Sequence, residues 1–200
     1  MKYSQNIKEV ADLKPDYMGF IFYARSPRFV NVKELKDPIK NIDKSIAKVG
    51  VFVNHPVAEL IETCRELHLD YAQLHGDESP AYVSVIKSAG IGTIKVFRID
   101  AGFDWKQLQA YSDNADFFLF DTLTVEYGGS GKKFDWKILE NYNGDKPFFL
   151  SGGIAAKNLP EIKELRLPNL WGVDINSRME TVPAMKDANR IRYFINELKK

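Results

Sequence analysis

Short apolar runs alternating with amphipathic segments along the whole chain predict an α/β fold built on parallel strands. Two observations carry this expectation. Seven apolar runs, at residues 17–23, 48–53, 71–74, 91–97, 117–121, 147–151 and 171–175, are short and mostly rich in β-branched or aromatic residues. That composition suits strands buried on both faces of a sheet. The segments between the runs carry helix signals.

Asn6 with Glu9 three positions later reads as a capping box ahead of Val10 and Ala11. Pro56 suits a first helical turn, after which Val57, Leu60, Ile61, Cys64 and Leu67 form one apolar stripe. Ser79-Pro80 supplies a cap and a first-turn proline for the next helix. Ala188, Ile191, Phe194, Ile195 and Leu198 recur at helical spacing near the C-terminus. Weaker helix patterns cover residues 32–36, 105–111, 135–140 and 159–165. No linker, low-complexity stretch or composition break divides the chain, so residues 1–200 are expected to form a single domain.

An open doubly wound sheet and a closed barrel both satisfy this alternation. The pattern has seven strands and eight helices and opens on a helix. A (β/α)8 barrel has eight strands, each followed by a helix. The pattern is therefore that of a (β/α)8-type barrel lacking strand 1 in this chain. Counting alone leaves the open sheet available.

Composition narrows the function classes. The net charge of +1 is balanced, without the basic excess of a nucleic-acid binder. A single cysteine, Cys64, cannot form an internal disulfide, which fits a reducing cytoplasm. No apolar run approaches the roughly 20 residues of a membrane span, and the N-terminus has no signal-peptide pattern. Three histidines without ligand spacing give no metal signature.

Ligands of α/β folds bind beyond the carboxyl ends of the strands. Polar residues gather there: Arg25 and Arg28, Asn54 and His55, then His75-Gly76-Asp77-Glu78. Further along come Arg98, Asp121, Ser151-Gly152-Gly153, and Asp174 with Asn176 and Ser177. Adjacent glycines let backbone amides approach an anion, so Gly152-Gly153 is a candidate phosphate loop; a tight turn is the plain alternative. Asp121 ends an apolar strand, where a raised pKa would suit a general acid; pairing with a lysine is the alternative. His75 reads as acid, base, substrate contact or a satisfied polar residue, and Arg28 as an anion contact or a surface arginine. Cys64 lies on a helix stripe and reads as a buried, inert thiol. Tyr127-Gly128-Gly129-Ser130-Gly131-Lys132 lacks P-loop spacing and reads as a mobile loop that covers a substrate, or as a flexible connection.

The ordered set GFIFYARSPRFV, VGVFVN, QLHGDE, FLFD, YGGSGKKFDW, FFLSGGI and VDINS resembles phosphoribosylanthranilate isomerase of tryptophan biosynthesis over essentially the whole chain. Single motifs such as SGG are weak, whereas their order is specific. The resemblance implies a TIM-type (β/α)8 barrel and an Amadori rearrangement of N-(5-phosphoribosyl)anthranilate, without cofactor or metal. It implies Asp121 as general acid and Arg28 as a contact near the anthranilate end. It puts His75 in the pocket wall and Gly152, Gly153, Asn176 and Ser177 around the phosphate. The only partner it implies is a small phosphorylated substrate.

Two departures stand out. The family opens on a strand ending in a Cys-Gly-Met-like turn whose cysteine is the general base. Met1 stands at the methionine of that turn, so the strand and its cysteine are expected to be missing, activity to be impaired, and the start site to be an annotation artefact. An incomplete barrel would stay open, pair its edges with another copy, or take in another segment. Arg178 stands where many members have glycine, which affects the last phosphate loop. Three other readings are a non-catalytic phosphosugar-binding barrel, indole-glycerol-phosphate synthase and an aldolase. The last two call for a catalytic lysine, for which Lys95 is the main candidate.

Overall fold

The computed structural model describes residues 1–122 and 136–200. Its centre is a parallel sheet of seven strands: β1 (Tyr17–Ile21), β2 (Ala47–Phe52), β3 (Tyr71–Leu74), β4 (Gly92–Ile99), β5 (Phe117–Thr122), β6 (Phe148–Ser151) and β7 (Leu170–Val173). Their spatial order is their chain order. Each connection steps one strand in the same sense, which is barrel winding. A doubly wound sheet reverses its order at a switch point. Topology thus decides between the two architectures left open by the pattern.

Six α-helices flank the described sheet: α1 (Ser4–Ala11), α2 (Val32–Lys40), α3 (Val57–Glu66), α4 (Pro80–Ser88), α5 (Leu159–Glu164) and α6 (Ala188–Leu198). Segments Trp105–Tyr111 and Trp136–Asn141 form 3-10 turns where helices were expected. Ser79 caps α4 as anticipated, its side chain accepting from Tyr82 N. Pro56 stands at the N-cap of α3 rather than within its first turn.

The capping box at Asn6 is not formed. Asn6 lies inside α1, and Tyr3 is the N-cap without a side-chain cap bond. The Asn6 amide is buried and spans the molecule: Nδ2 donates to Lys186 O and Oδ1 accepts from Lys186 N, both at 2.8 Å. Lys186 belongs to β9 (Met185–Lys186), which pairs antiparallel with β8 (Glu180–Val182). A buried amide left without partners costs about 1–3 kcal/mol, and the Lys186 backbone supplies a donor and an acceptor.

Strand alternation divides the apolar residues between two cores. Phe118, Phe120, Phe97, Ile99, Phe148 and Leu150 face the helices and join the larger cluster. Val49, Ile94, Val96, Leu119 and Phe149 face inward and form the smaller one. Tyr17, Tyr71 and Phe117 pack on the inner cluster from the amino ends of their strands. Tyr17 lies edge-on to Phe149, with ring centroids 5.1 Å apart, and Phe117 packs on Trp171 at 5.6 Å. Trp171 Nε1 donates to Tyr17 Oη at 2.9 Å. This aromatic floor links the two edge strands, β1 and β7, through side chains.

Helix α6 closes the described chain. The Asp187 side chain accepts from Asn189 N at 3.0 Å and Arg190 N at 3.1 Å. Asp187→Ala is expected to lower stability by about 1 kcal/mol, read as a fall in the urea midpoint at constant m.

Candidate active site

The period-two alternation that points Leu119 into the barrel also points Asp121 inward, one residue pair nearer the carboxyl end of β5. Its register partners are Arg98 on β4 and Ser151 on β6. His75 follows β3, and its Nε2 lies 3.4 Å from Asp121 Oδ2. The His75 Nδ1 side faces Gln73, whose Nε2 is 3.4 Å away. Asp121 stands near the end of the apolar strand β5, where Phe118 and Phe120 point to the opposite face and Asp121 is half-buried at the mouth beside His75.

Gly152 and Gly153 adopt φ of 111° and 63°, the left-handed region that favours glycine. They turn the chain sharply at the end of β6, bringing their backbone to the mouth. Ser151 Oγ donates to Asp174 Oδ2 at 3.0 Å, joining the ends of β6 and β7. Enclosure by surrounding protein pushes the Asp174 carboxyl above the ordinary aspartate range, with the Ser151 bond and the charges of Lys186 and His75 opposing. Such a carboxyl weakens the fold as pH rises past its ordinary value of 3.8, because the unfolded chain ionises first. Asp174→Asn is therefore expected to raise Tm at pH 7 by on the order of a few degrees. The gain should shrink as pH falls toward 3.8, measured by calorimetry across pH.

Arg28 reaches the same mouth from the loop after β1. Ser26 Oγ accepts from Arg28 N at 3.1 Å, and Val30 N returns to Ile21 O at 3.0 Å. The guanidinium meets Glu180 bidentately, Nε to Oε2 at 2.9 Å and Nη2 to Oε2 at 2.7 Å, with Oε1 at 3.0 Å from Nε. Asn176 is exposed, and its backbone carbonyl accepts from Lys186 Nζ at 2.9 Å, while its Oδ1 meets the same ammonium. Ser177 opens the 3-10 turn Ser177–Met179 and is also exposed.

Lys95 is displaced from any catalytic reading. Alternation turns it toward the helices, where it is 3% exposed and its Nζ lies 3.0 Å from Glu78 Oε2. Leu74 O and Gly76 O accept from the same ammonium at 3.2 and 2.7 Å. Burial lowers the Lys95 pKa while Glu78 opposes the shift. Cys64 is buried on α3, and burial pushes its thiol up to about 12. It is an inert packing residue, remote from the mouth. The glycine cluster at Tyr127-Gly128-Gly129-Ser130-Gly131-Lys132 lies outside the described residues. Among the described residues, no group of three or more His, Cys, Asp or Glu is arranged to hold a metal, and no helix is long and apolar enough to cross a membrane.

The family model described as N-(5'-phosphoribosyl)anthranilate (PRA) isomerase matches residues 1–197. The chain belongs to that family. It is 42% identical over 199 residues to the N-(5'-phosphoribosyl)anthranilate isomerase of Parabacteroides distasonis, covering 99% of this chain and 90% of the relative. The crystal structure of phosphoribosyl anthranilate isomerase from Thermotoga maritima superposes with a TM-score of 0.88 at 28% identity, covering 100% of this chain and 95% of that one. A phosphoribosyl anthranilate isomerase in complex with reduced 1-(o-carboxyphenylamino)-1-deoxyribulose 5-phosphate gives 0.85 at 25% identity, with the same coverage. The family is one of isomerases, and this chain spans nearly the full length of these members.

Sequence reasoning missed Glu180, Lys186 and the β8–β9 hairpin of this family member. The available signal was weak: three charged residues, Arg178, Glu180 and Lys186, in a short segment around Val182-Pro183-Ala184. Ala184 takes a φ of 71° at the hairpin turn, a conformation that residue type does not advertise.

Proposed function

We propose that this chain catalyses the Amadori rearrangement of N-(5-phosphoribosyl)anthranilate to 1-(2-carboxyphenylamino)-1-deoxyribulose 5-phosphate, the isomerase step of tryptophan biosynthesis. The observation that carries this reading is the placement of Asp121 and His75, 3.4 Å apart, at a mouth flanked by the Gly152-Gly153 turn, the Asn176-Ser177 loop and Arg28. A phosphate held at Gly152, Gly153, Asn176 and Ser177 anchors one end of the substrate. Arg28 holds the carboxylate at the other end, and His75 lines the space between.

Asp121 donates a proton to the ribose ring oxygen as the C1–O bond breaks. The lone pair of the anthranilate nitrogen forms the C1–N double bond. Loss of the C2 proton then gives an enolamine, which tautomerises to the ketose. The resemblance assigns that proton to a cysteine that residues 1–200 do not contain, so turnover by this chain is expected to be impaired. Fixing one substrate beside an acid and a base is a sufficient strategy, because orientation removes much of the entropic barrier. Cys64 has no part in it, and Lys95 is held by Glu78 on the other face of the sheet. Phosphoribosylanthranilate fluorescence tests the reading directly. Its enzyme-dependent loss supports the proposal, and a product other than the deoxyribulose phosphate overturns it.

The element order supports a second element of the proposal: α1 precedes the first of seven parallel strands, as it would if they corresponded to strands two to eight of an eight-stranded barrel. The described β1 and β7 are its edges, joined through Tyr17 and Trp171 side chains. A measured structure with backbone hydrogen bonds directly between β1 and β7 overturns this. Pairing of two copies through these edges belongs to the same reading, and a molar mass of one chain in light scattering overturns that part.

A further inference from the structure

Glu180 is 4% exposed at its side chain, and its two oxygens are crowded with donors. Oε1 accepts from Arg28 Nε at 3.0 Å, Lys186 Nζ at 3.0 Å and Ala184 N at 3.1 Å. Oε2 accepts from Arg28 Nε at 2.9 Å and Nη2 at 2.7 Å. Lys186 Nζ in turn holds the Asn176 carbonyl at 2.9 Å and meets the Asn176 side chain. The Lys186 backbone is fixed by the buried Asn6 amide. One carboxylate therefore ties the loop after β1 to the loop after β7, 152 positions away in the chain.

A guanidinium has two edges able to grip a carboxylate bidentately, one made of Nε and Nη2 and one of Nη1 and Nη2. Glu180 occupies the first. Arg28 remains 23% exposed at its side chain, and its bonds to Glu180 use Nε and Nη2, leaving Nη1 outside that grip. Two cations against one carboxylate leave the cluster of Arg28, Lys186 and Glu180 with one net positive charge. The cluster can thus accept a further anion without stranding Glu180. An arginine already held in place loses little side-chain freedom when a ligand arrives, and that prepaid ordering raises affinity.

We propose that Glu180 is a positioning residue that presents the free edge of Arg28 to the carboxylate of the substrate's aromatic end, and that Lys186 couples this grip to the Asn176 loop. The distance between a carboxylate grip and a phosphate grip is then set by one buried hub, which favours substrates carrying both anions at matching separation. Consistent with that arrangement, burial raises the Glu180 pKa but the Arg28 and Lys186 bonds outweigh it, so Glu180 sits below the usual glutamate range and stays ionised.

This inference rests on the functional reading above, and the test separates the two. The probes are reduced 1-(o-carboxyphenylamino)-1-deoxyribulose 5-phosphate and the same compound lacking the ring carboxylate, titrated by calorimetry into the full chain. The parent protein is expected to prefer the carboxylated probe by about tenfold or more. Glu180→Gln should cut that preference about fivefold or more while moving the affinity for the decarboxy probe less than about twofold. Arg28→Lys, which cannot hold Glu180 and a ligand with two separate edges, should cut it as far and is the second variant if Glu180→Gln fails to fold. In an Arg28→Ala background, adding Glu180→Gln should change the preference no further. No binding of either probe to the parent overturns the functional reading. A parent preference that survives both Glu180→Gln and Arg28→Lys, or equal weakening of both probes, overturns the positioning role alone.

Discussion

Asp121→Asn is expected to reduce turnover of phosphoribosylanthranilate about 10²–10⁴-fold, the range a positioned general acid contributes. Asparagine keeps the shape and one oxygen of the side chain but has no carboxyl proton to deliver. The strand supports the substitution: Phe118 and Phe120 bury the opposite face, and β5 is paired on both sides, to β4 and β6. The geometry of the mouth should therefore survive, and affinity for the reduced product analogue should change less than about tenfold. A variant that binds the analogue but loses turnover assigns Asp121 to the chemical step. Retained turnover removes Asp121 from the mechanism. Because His75 Nε2 lies 3.4 Å from the carboxyl, His75→Gln should have a smaller effect, felt in positioning rather than as loss of the proton donor.

Glu78→Ala is expected to cost about 3–5 kcal/mol of stability, the penalty for stranding a buried charge. Lys95 would keep Leu74 O and Gly76 O as acceptors but lose its counter-ion at 3.0 Å. Glu78 also accepts from Asn54 N at 2.9 Å and Gly76 N at 3.0 Å, so two backbone donors lose their partner as well. The sign with pH is fixed by Lys95. Its folded pKa is depressed by burial below the ordinary 10.5, so the unfolded chain binds the extra proton, and stability from this group rises as pH climbs toward 10.5 and is lost as pH falls. Removing Glu78 takes away the charge that opposes the depression. The variant should therefore recover part of its lost stability on the alkaline side, where the parent recovers less. Urea titrations between neutral and alkaline pH measure this; a flat difference between the two proteins refutes it. Replacing both partners, Glu78→Gln with Lys95→Met, should cost less than Glu78→Ala, because no buried charge is left unpaired.

The same two residues mark the limit of local reading. Each predicted strand run overlaps an observed strand, from 71–74 without change to 91–97 observed as Gly92–Ile99. Periodicity of apolar residues is a local property, and burial on both faces leaves it intact. The caps at Ser79 and Asp187 act within three residues of the chain, and Ser79 was legible as well. Asn6 misled because its partner, Lys186, is 180 positions away and its sequence neighbour Glu9 offered a plausible local one. Lys95 sat inside a strand run whose alternation gives two faces but does not say which is the barrel interior.

The candidate site divides along the same line. Strand ends named Asp121, His75, Gly152, Gly153, Asn176, Ser177 and Arg28, and the fold brings all of them to the carboxyl end of one sheet. They were legible because parallel winding puts every strand end on one side. Glu180 and Lys186 were not, because their meaning comes from Arg28 and Asn6, far away in sequence.

By itself, the sequence determined the α/β class, the strand runs, the strand-end polar residues and the family, since each is written in local spacing or ordered motifs. Only the tertiary structure decided the single-direction winding of the described sheet, the face that Lys95 occupies, and the hub that joins Arg28 to Asn176 through Glu180 and Lys186. The physical reason is that desolvated charges are settled by whichever partners the fold brings within hydrogen-bond reach, and those partners lie far off in the chain.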